Sequence, residues 1–219
     1  MFKNIEAVIF DLDGTLVDSM GMWHEVDVRF MEEHGYSIVP GLSEEIEGMS
    51  MTETAEWFIK KYNLDQTVES LKDEWNNIAK YAYEHEIQPK SHALEFLKTL
   101  KEHGIKTGIS TSNSTVLMNT CLAATGIGKY IDVASSGCMV EHGKPAPDIY
   151  LASAKELGVN PNKCLVFEDI VNGIKAGKAA GMRTCAVPDD AAAKDWDEKI
   201  ALADFYIYDF SEAIEALNK

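Results

Sequence analysis

The segment Ala7-Val-Ile-Phe-Asp-Leu-Asp-Gly-Thr-Leu-Val-Asp18 decides how the rest of the chain is read. Four apolar residues, Ala7 to Phe10, run directly into Asp11-Leu-Asp13-Gly-Thr15. A run so short and so apolar, without polar alternation, suits a strand covered on both faces, as in a parallel sheet. In open parallel sheets, ligands bind beyond the carboxyl ends of the strands. The two carboxylates therefore stand where a ligand would. Gly14 lets the chain turn sharply out of the strand.

Outward from this segment, five further runs read as strands: Lys106 to Ile109, Asp132 to Ala134, Cys164 to Phe167, Thr184 to Val187 and Phe205 to Tyr208. Helical patterns separate them. Leu94, Leu97 and Leu100 keep helical spacing, with Gly104 beyond them as a C-terminal stop. Ser114 caps a helix running to Ala124, and Pro147 suits the first position of a helix ending near Gly158. Ile170, Val171 and Ile174 begin another that Gly181 would stop. The alternation predicts a doubly wound, Rossmann-like α/β fold with a parallel sheet.

Residues 18 to 86 break that rhythm. They read as consecutive helices, Met22 to His34, Met51 to Tyr62 and Gln66 to Glu84, with no strand among them. The prediction is a small all-helical cap inserted after the first strand. The cap spans 18–87, and the α/β core comprises 1–17 and 88–219. Linkers fall near Leu16–Ser19 and Ile87–His92, the second punctuated by Pro89.

Other strand ends also carry polar residues. The Lys106 strand leads into Ser110-Thr-Ser-Asn113, and the Cys164 strand into Glu168-Asp169. Lys144 precedes Pro145-Ala-Pro147 in the loop after the third strand. Asp11, Asp13, Glu168 and Asp169 would converge on one rim, where unpaired carboxylates raise one another's pKa values. Bound Mg²⁺ relieves this, because it is a hard cation that takes oxygen ligands and shares them with substrate phosphates. Lys144, the Thr111 hydroxyl and the backbone N–H groups of Ser112 and Asn113 would face an anion. The set suits phosphoryl transfer. Asp11 is the candidate carboxylate nucleophile, forming an aspartyl-phosphate, and Asp13 the general acid and base. Lys144, Thr111 and the metal would offset transition-state charge.

These residues resemble the haloacid dehalogenase-like hydrolases. Asp11-Leu-Asp-Gly-Thr-Leu-Val-Asp18 looks like that family's first motif and Thr111 its second. Lys144, in Gly143-Lys-Pro-Ala-Pro-Asp148, matches the third, and Glu168-Asp169, in Phe167-Glu-Asp-Ile-Val-Asn-Gly173, the fourth. The likeness is greatest to the branch of β-phosphoglucomutases and sugar-phosphate phosphatases, which carries a helical cap at this insertion point. The resemblance implies that Asp11 and Asp169 ligate Mg²⁺ by side chain and Asp13 by its backbone carbonyl. Glu168 would act near the metal, and Thr111 and Lys144 would bind phosphate.

Within that branch, mutases carry a His in the first cap segment at a position that falls on Trp23 here, one place before His24. They also carry Arg after a cap Gly-x-Ser, where Gly48-Met-Ser50 is followed by Met51. A mutase must grip a second phosphate with cap cations, so the sequence favours simple hydrolysis of a phosphomonoester over mutase chemistry. The substrate would be a small sugar, polyol or nucleoside phosphate. Met20, Trp23 and His24 are the cap residues placed to touch it. Trp57, Trp75 and the remaining cap methionines read as cap core. Dehalogenation lacks the second aspartate, and phosphonate cleavage needs a cap lysine that has no match. A phospho-accepting receiver switch has the same inventory, but such domains have roughly 120 residues and no helical insert.

Composition bounds the remainder. The chain has 219 residues and a net charge of −16, with 20 basic residues against 36 acidic. That balance excludes the basic stripe a nucleic-acid partner requires. No apolar run approaches the roughly 20 residues of a membrane span. Cys121, Cys138, Cys164 and Cys185 lack C-x-x-C spacing and read as free thiols. The N-terminal residues show no signal-peptide pattern, so a cytoplasmic protein is the expectation, with a monomer as the default.

Overall fold

The computed structural model describes residues 1–219. Six parallel strands form one sheet: β1 (Ala7–Phe10), β2 (Lys106–Thr111), β3 (Val133–Ser136), β4 (Cys164–Glu168), β5 (Arg183–Ala186) and β6 (Phe205–Tyr206). Their order is β3-β2-β1-β4-β5-β6. The winding reverses at β1, which pairs with β2 on one side and β4 on the other. A crevice at such a reversal is where ligands bind in open α/β sheets.

Helices cover both faces. They are α5 (Ala93–Glu102), α6 (Thr115–Ala124), α7 (Asp148–Leu157), α8 (Val171–Ala179), α9 (Trp196–Leu202) and α10 (Phe210–Leu217). Alternate strand residues feed two separate cores. Val8, Phe10, Leu165 and Phe167 belong to one, and Ala7, Ile9, Cys164 and Val166 to the other. On the first face, Phe10 stacks on Phe167 at 5.2 Å between centroids, and Phe96 on Phe210 at 5.6 Å. Burying each such ring stabilises the fold by about 1.5–3 kcal/mol. This two-sided burial is why the strands read as continuous apolar runs.

Four helices separate β1 from α5 in the chain: α1 (Met20–Glu33), α2 (Leu42–Ile46), α3 (Met51–Tyr62) and α4 (Val68–His85). They form the all-helical cap. Ser50 and Glu53 make a capping box at the start of α3, and Thr67 and Ser70 one at α4. Phe30, Phe58 and Trp75 meet edge to face at 5.4 to 5.6 Å and centre the cap core. The chain enters and leaves the cap side by side. Val17 bridges Pro89, Asp18 N donates to Gln88 O at 3.0 Å, and Lys90 N donates to Leu16 O at 2.8 Å.

The elements depart from the sequence pattern at their ends. β2 and β4 extend through Thr111 and Glu168, since polar residues can complete a ladder that apolar patterning ends earlier. β3 begins one residue late because the Asp132 carboxylate accepts Thr107 N at 2.8 Å. The α2, α9 and α10 helices add to the pattern read from sequence. No helix is long and apolar enough to cross a membrane, and all four cysteines are free.

Candidate active site

Loops after β1, β2, β3 and β4 meet beneath the cap around a cleft of about 1110 Å³. Asp11, Asp13, Thr111, Ser112, Asn113, Lys144 and Asp169 line it from the core, and Met20, Trp23 and His24 from the cap. Of the candidate site residues, Glu168 alone is not on the cleft wall. It is fully buried behind it.

Asp11 leaves the carboxyl end of β1 buried. Lys144 Nζ lies 2.5 Å from Asp11 Oδ1 and 2.5 Å from Glu168 Oε1. Burial pulls the lysine pKa down, but the charges of Asp11 and Glu168 more than reverse this, so it stays an ammonium. Asp11 itself is pushed well up, first by burial and then by Glu168 and Asp169, against the pull of Lys144. Burial and then Glu168 raise Asp169 in the same way.

Carboxylate oxygens of Asp11, Glu168 and Asp169 lie within 4.8 Å of one another. One ammonium in direct contact leaves these three carboxylates undercompensated. A set of hard oxygen donors with surplus negative charge fits a divalent cation. The cluster is tightly held. Thr15 Oγ1 donates to Asp169 Oδ1 at 2.7 Å, and the fully buried Lys199 donates to the Asp169 carbonyl at 2.7 Å. Glu168 accepts the Tyr150 hydroxyl and the Asp169 amide. Gly14, at φ +79°, fits only because it lacks a side chain: a Cβ there would lie 2.4 Å from Asp169 Oδ2.

Asp13 faces away from that cluster. Its Oδ1 accepts Ser19 Oγ at 2.7 Å and the Tyr83 hydroxyl from α4. Its Oδ2 accepts Asn113 Nδ2 at 3.0 Å and Thr111 Oγ1 at 3.4 Å. The side chains of Asp11 and Asp13, two residues apart, would share one face of a continuing strand. They serve separate environments because β1 ends at Phe10 and the chain turns out of the sheet toward Gly14, at φ +79°. The Asn113 amide, expected to face an anion, donates to Thr111 Oγ1 at 3.1 Å.

Over its whole length this arrangement has counterparts. A family model described as haloacid dehalogenase-like hydrolase matches residues 5–181. The chain belongs to the haloacid dehalogenase-like hydrolases. Its fold class follows that family, and it is a phosphatase of it. The chain is 31% identical over 178 residues to a phosphorylated carbohydrates phosphatase of Thermotoga maritima, covering 81% of this chain and 82% of that one. It is 28% identical over 188 residues to fructose-1-phosphate phosphatase of Escherichia coli, covering 83% and 96%. Among solved structures, a β-phosphoglucomutase of Clostridium difficile superposes with a TM-score of 0.81 at 25% identity, covering 98% and 97%.

Four side chains that support this site went unassigned from the sequence: Thr15, Tyr83, Tyr150 and Lys199. Thr15 lies inside the first motif and could have been found there. The other three sit on helices whose patterns mark them as core or surface.

Proposed function

We propose that the protein hydrolyses small phosphomonoesters, sugar or polyol phosphates in the first place, through an aspartyl-phosphate on Asp11 with Mg²⁺ as cofactor. The observation that carries the reading is the pairing of two differently held aspartates at the cleft floor. Asp11 is buried against Lys144 beside two further carboxylates, and Asp13 is turned toward Thr111 and Asn113.

In the first half-reaction a carboxylate oxygen of Asp11 bonds to phosphorus and the ester P–O bond breaks. Asp13 gives its proton to the departing oxygen, releasing an alcohol. In the second, Asp13 takes a proton from water as the water oxygen bonds to phosphorus. The Asp11–phosphorus bond breaks, freeing inorganic phosphate. Lys144 and Thr111 bind the phosphoryl oxygens. Asp11 and Asp169 by side chain, and Asp13 by its carbonyl, would hold Mg²⁺, with Glu168 supporting from behind. When bound, the ion neutralises charge on the phosphoryl group as a Lewis acid.

Hydrolysis is favoured over a mutase by the cap lining. Its titratable members are Asp18, His24, Asp27, Glu44 and Glu47, with no lysine or arginine. A second phosphate would meet carboxylates on the cap, since the cleft's cations besides Lys144, namely Lys90 and Lys194, come from the core and are already paired with Asp189 and Glu44. The apolar part of the lining, Met20 and Trp23 among it, suits a neutral sugar or polyol. Residues 18–87 would move as the cap on the paired linkers, gating entry and release.

Asp11→Asn tests the reading. The variant should fold, bind phosphate esters and release no phosphate, and wild-type enzyme quenched in acid should retain phosphate on Asp11. Turnover retained by the variant would remove Asp11 from the nucleophile's role.

A further inference from the structure

Asp13 is held by four side chains, and one of them comes from a cap helix 70 residues away in sequence. Ser19, Asn113 and Thr111 belong to the linker and the core. The fourth is Tyr83 on α4, whose hydroxyl donates to Oδ1. That hydroxyl is itself fixed, accepting Trp23 Nε1 at 2.9 Å and Asn113 Nδ2 at 2.8 Å. The side chain is fully buried. Thr111 bonds to Oδ2, so Oδ2 is the oxygen on the phosphate side and Oδ1 the one that Tyr83 pins.

We propose that Tyr83 is a positioning residue for Asp13, aiming Oδ2 at the ester oxygen that leaves phosphorus and making that aim depend on a seated cap. This rests on the hydrolase reading above. Tyr83 keeps its own proton throughout. The proton that reaches the departing oxygen comes from Asp13, as the ester P–O bond breaks and the Asp11–phosphorus bond forms. A sugar alkoxide is a poor leaving group and needs that proton, whereas p-nitrophenolate leaves without it.

The test compares kcat/KM, which reads steps only through departure of the leaving group. The esters are p-nitrophenyl phosphate and the fastest alkyl ester among fructose 1-phosphate, glucose 6-phosphate and glycerol 1-phosphate. Y83F should lose about 10-fold or more on the alkyl ester and less than about 3-fold on the aryl ester, part of the 10²–10⁴-fold that a placed acid supplies. In an Asp13→Asn background Y83F should cause no further loss, because the two act as a unit. W23F keeps the phenol but frees it, and should give the same selective loss at smaller size. Equal losses on both esters, or none on either, would overturn the role of Tyr83. Wild-type enzyme that releases phosphate from neither ester would instead overturn the hydrolase reading.

Discussion

Lys144 and Asp11, 133 residues apart in the chain, form a buried ion pair at 2.5 Å on the floor of the cleft. The same ammonium touches Glu168, so it is the counter-charge for two buried carboxylates. Removing one member of a buried pair leaves the others uncompensated. Lys144→Met should therefore cost about 3 kcal/mol of stability and abolish turnover. Urea unfolding reads the first and phosphate release the second. A variant with wild-type stability would show that the pair contributes nothing to the fold.

Gly173, in the first turn of α8, packs directly against the Glu168 carboxylate. A Cβ there would lie 1.9 Å from the Glu168 carboxyl carbon, inside the space the carboxylate occupies. Gly173→Ala should push Glu168 off Lys144 and Tyr150, destabilising the protein by about 2 kcal/mol as overpacking does. Turnover should fall with it. Denaturant titration with a parallel activity assay checks both, and an unchanged variant would mean that Glu168 relaxes freely.

Asp27 in the cleft gives a pH-dependent prediction. Burial pushes its carboxyl up from 3.8 to about 6, opposed by His24. Between about pH 4 and 6 the folded state holds this proton and the unfolded state has released it, so stability falls as pH rises. Above about 6 the penalty is complete. Asp27→Asn should gain about 1–2 kcal/mol at pH 8, and the gain should vanish below about pH 4. Thermal unfolding across that range decides it. A gain that persists at pH 3.5 would assign the effect to packing.

The undercompensated cluster of Asp11, Glu168 and Asp169 predicts stabilisation by Mg²⁺ apart from any turnover. Saturating Mg²⁺ at about 100 times its Kd should add about 2.7 kcal/mol. The melting temperature should rise by several degrees, and EDTA should reverse the shift. Asp169→Asn should lose most of it. Equal shifts in both proteins would place the ion elsewhere.

Most parts legible in the sequence have their chemistry within a few residues of a strand end. Asp11 follows Phe10 directly with Asp13 two residues on, Thr111 ends β2 and Glu168 ends β4, so the strand pattern alone positions them. Lys144 lies in a loop and was found through its neighbours Gly143, Pro145 and Pro147. Tyr83 and Lys199 were hidden for the opposite reason. Tyr83 keeps the spacing of a helix's buried face, where an aromatic ring is ordinarily core. Lys199 lies in a short charged helix, Trp196–Leu202, that reads as surface, yet its ammonium is buried against the Asp169 carbonyl. Their roles depend on how helices dock on the sheet, which local pattern does not encode. The short helix at Leu42–Ile46 was missed because five residues are too few to show a period.

The most direct test is phosphate release across a panel of sugar, polyol and nucleoside phosphates, including β-glucose 1-phosphate, with and without Mg²⁺. Glucose 6-phosphate is assayed in the same samples. The account predicts Mg²⁺-dependent release of inorganic phosphate, fastest from a sugar or polyol phosphate, with no glucose 6-phosphate formed from β-glucose 1-phosphate. Glucose 6-phosphate appearing without phosphate release, or no phosphate from any ester, would contradict it.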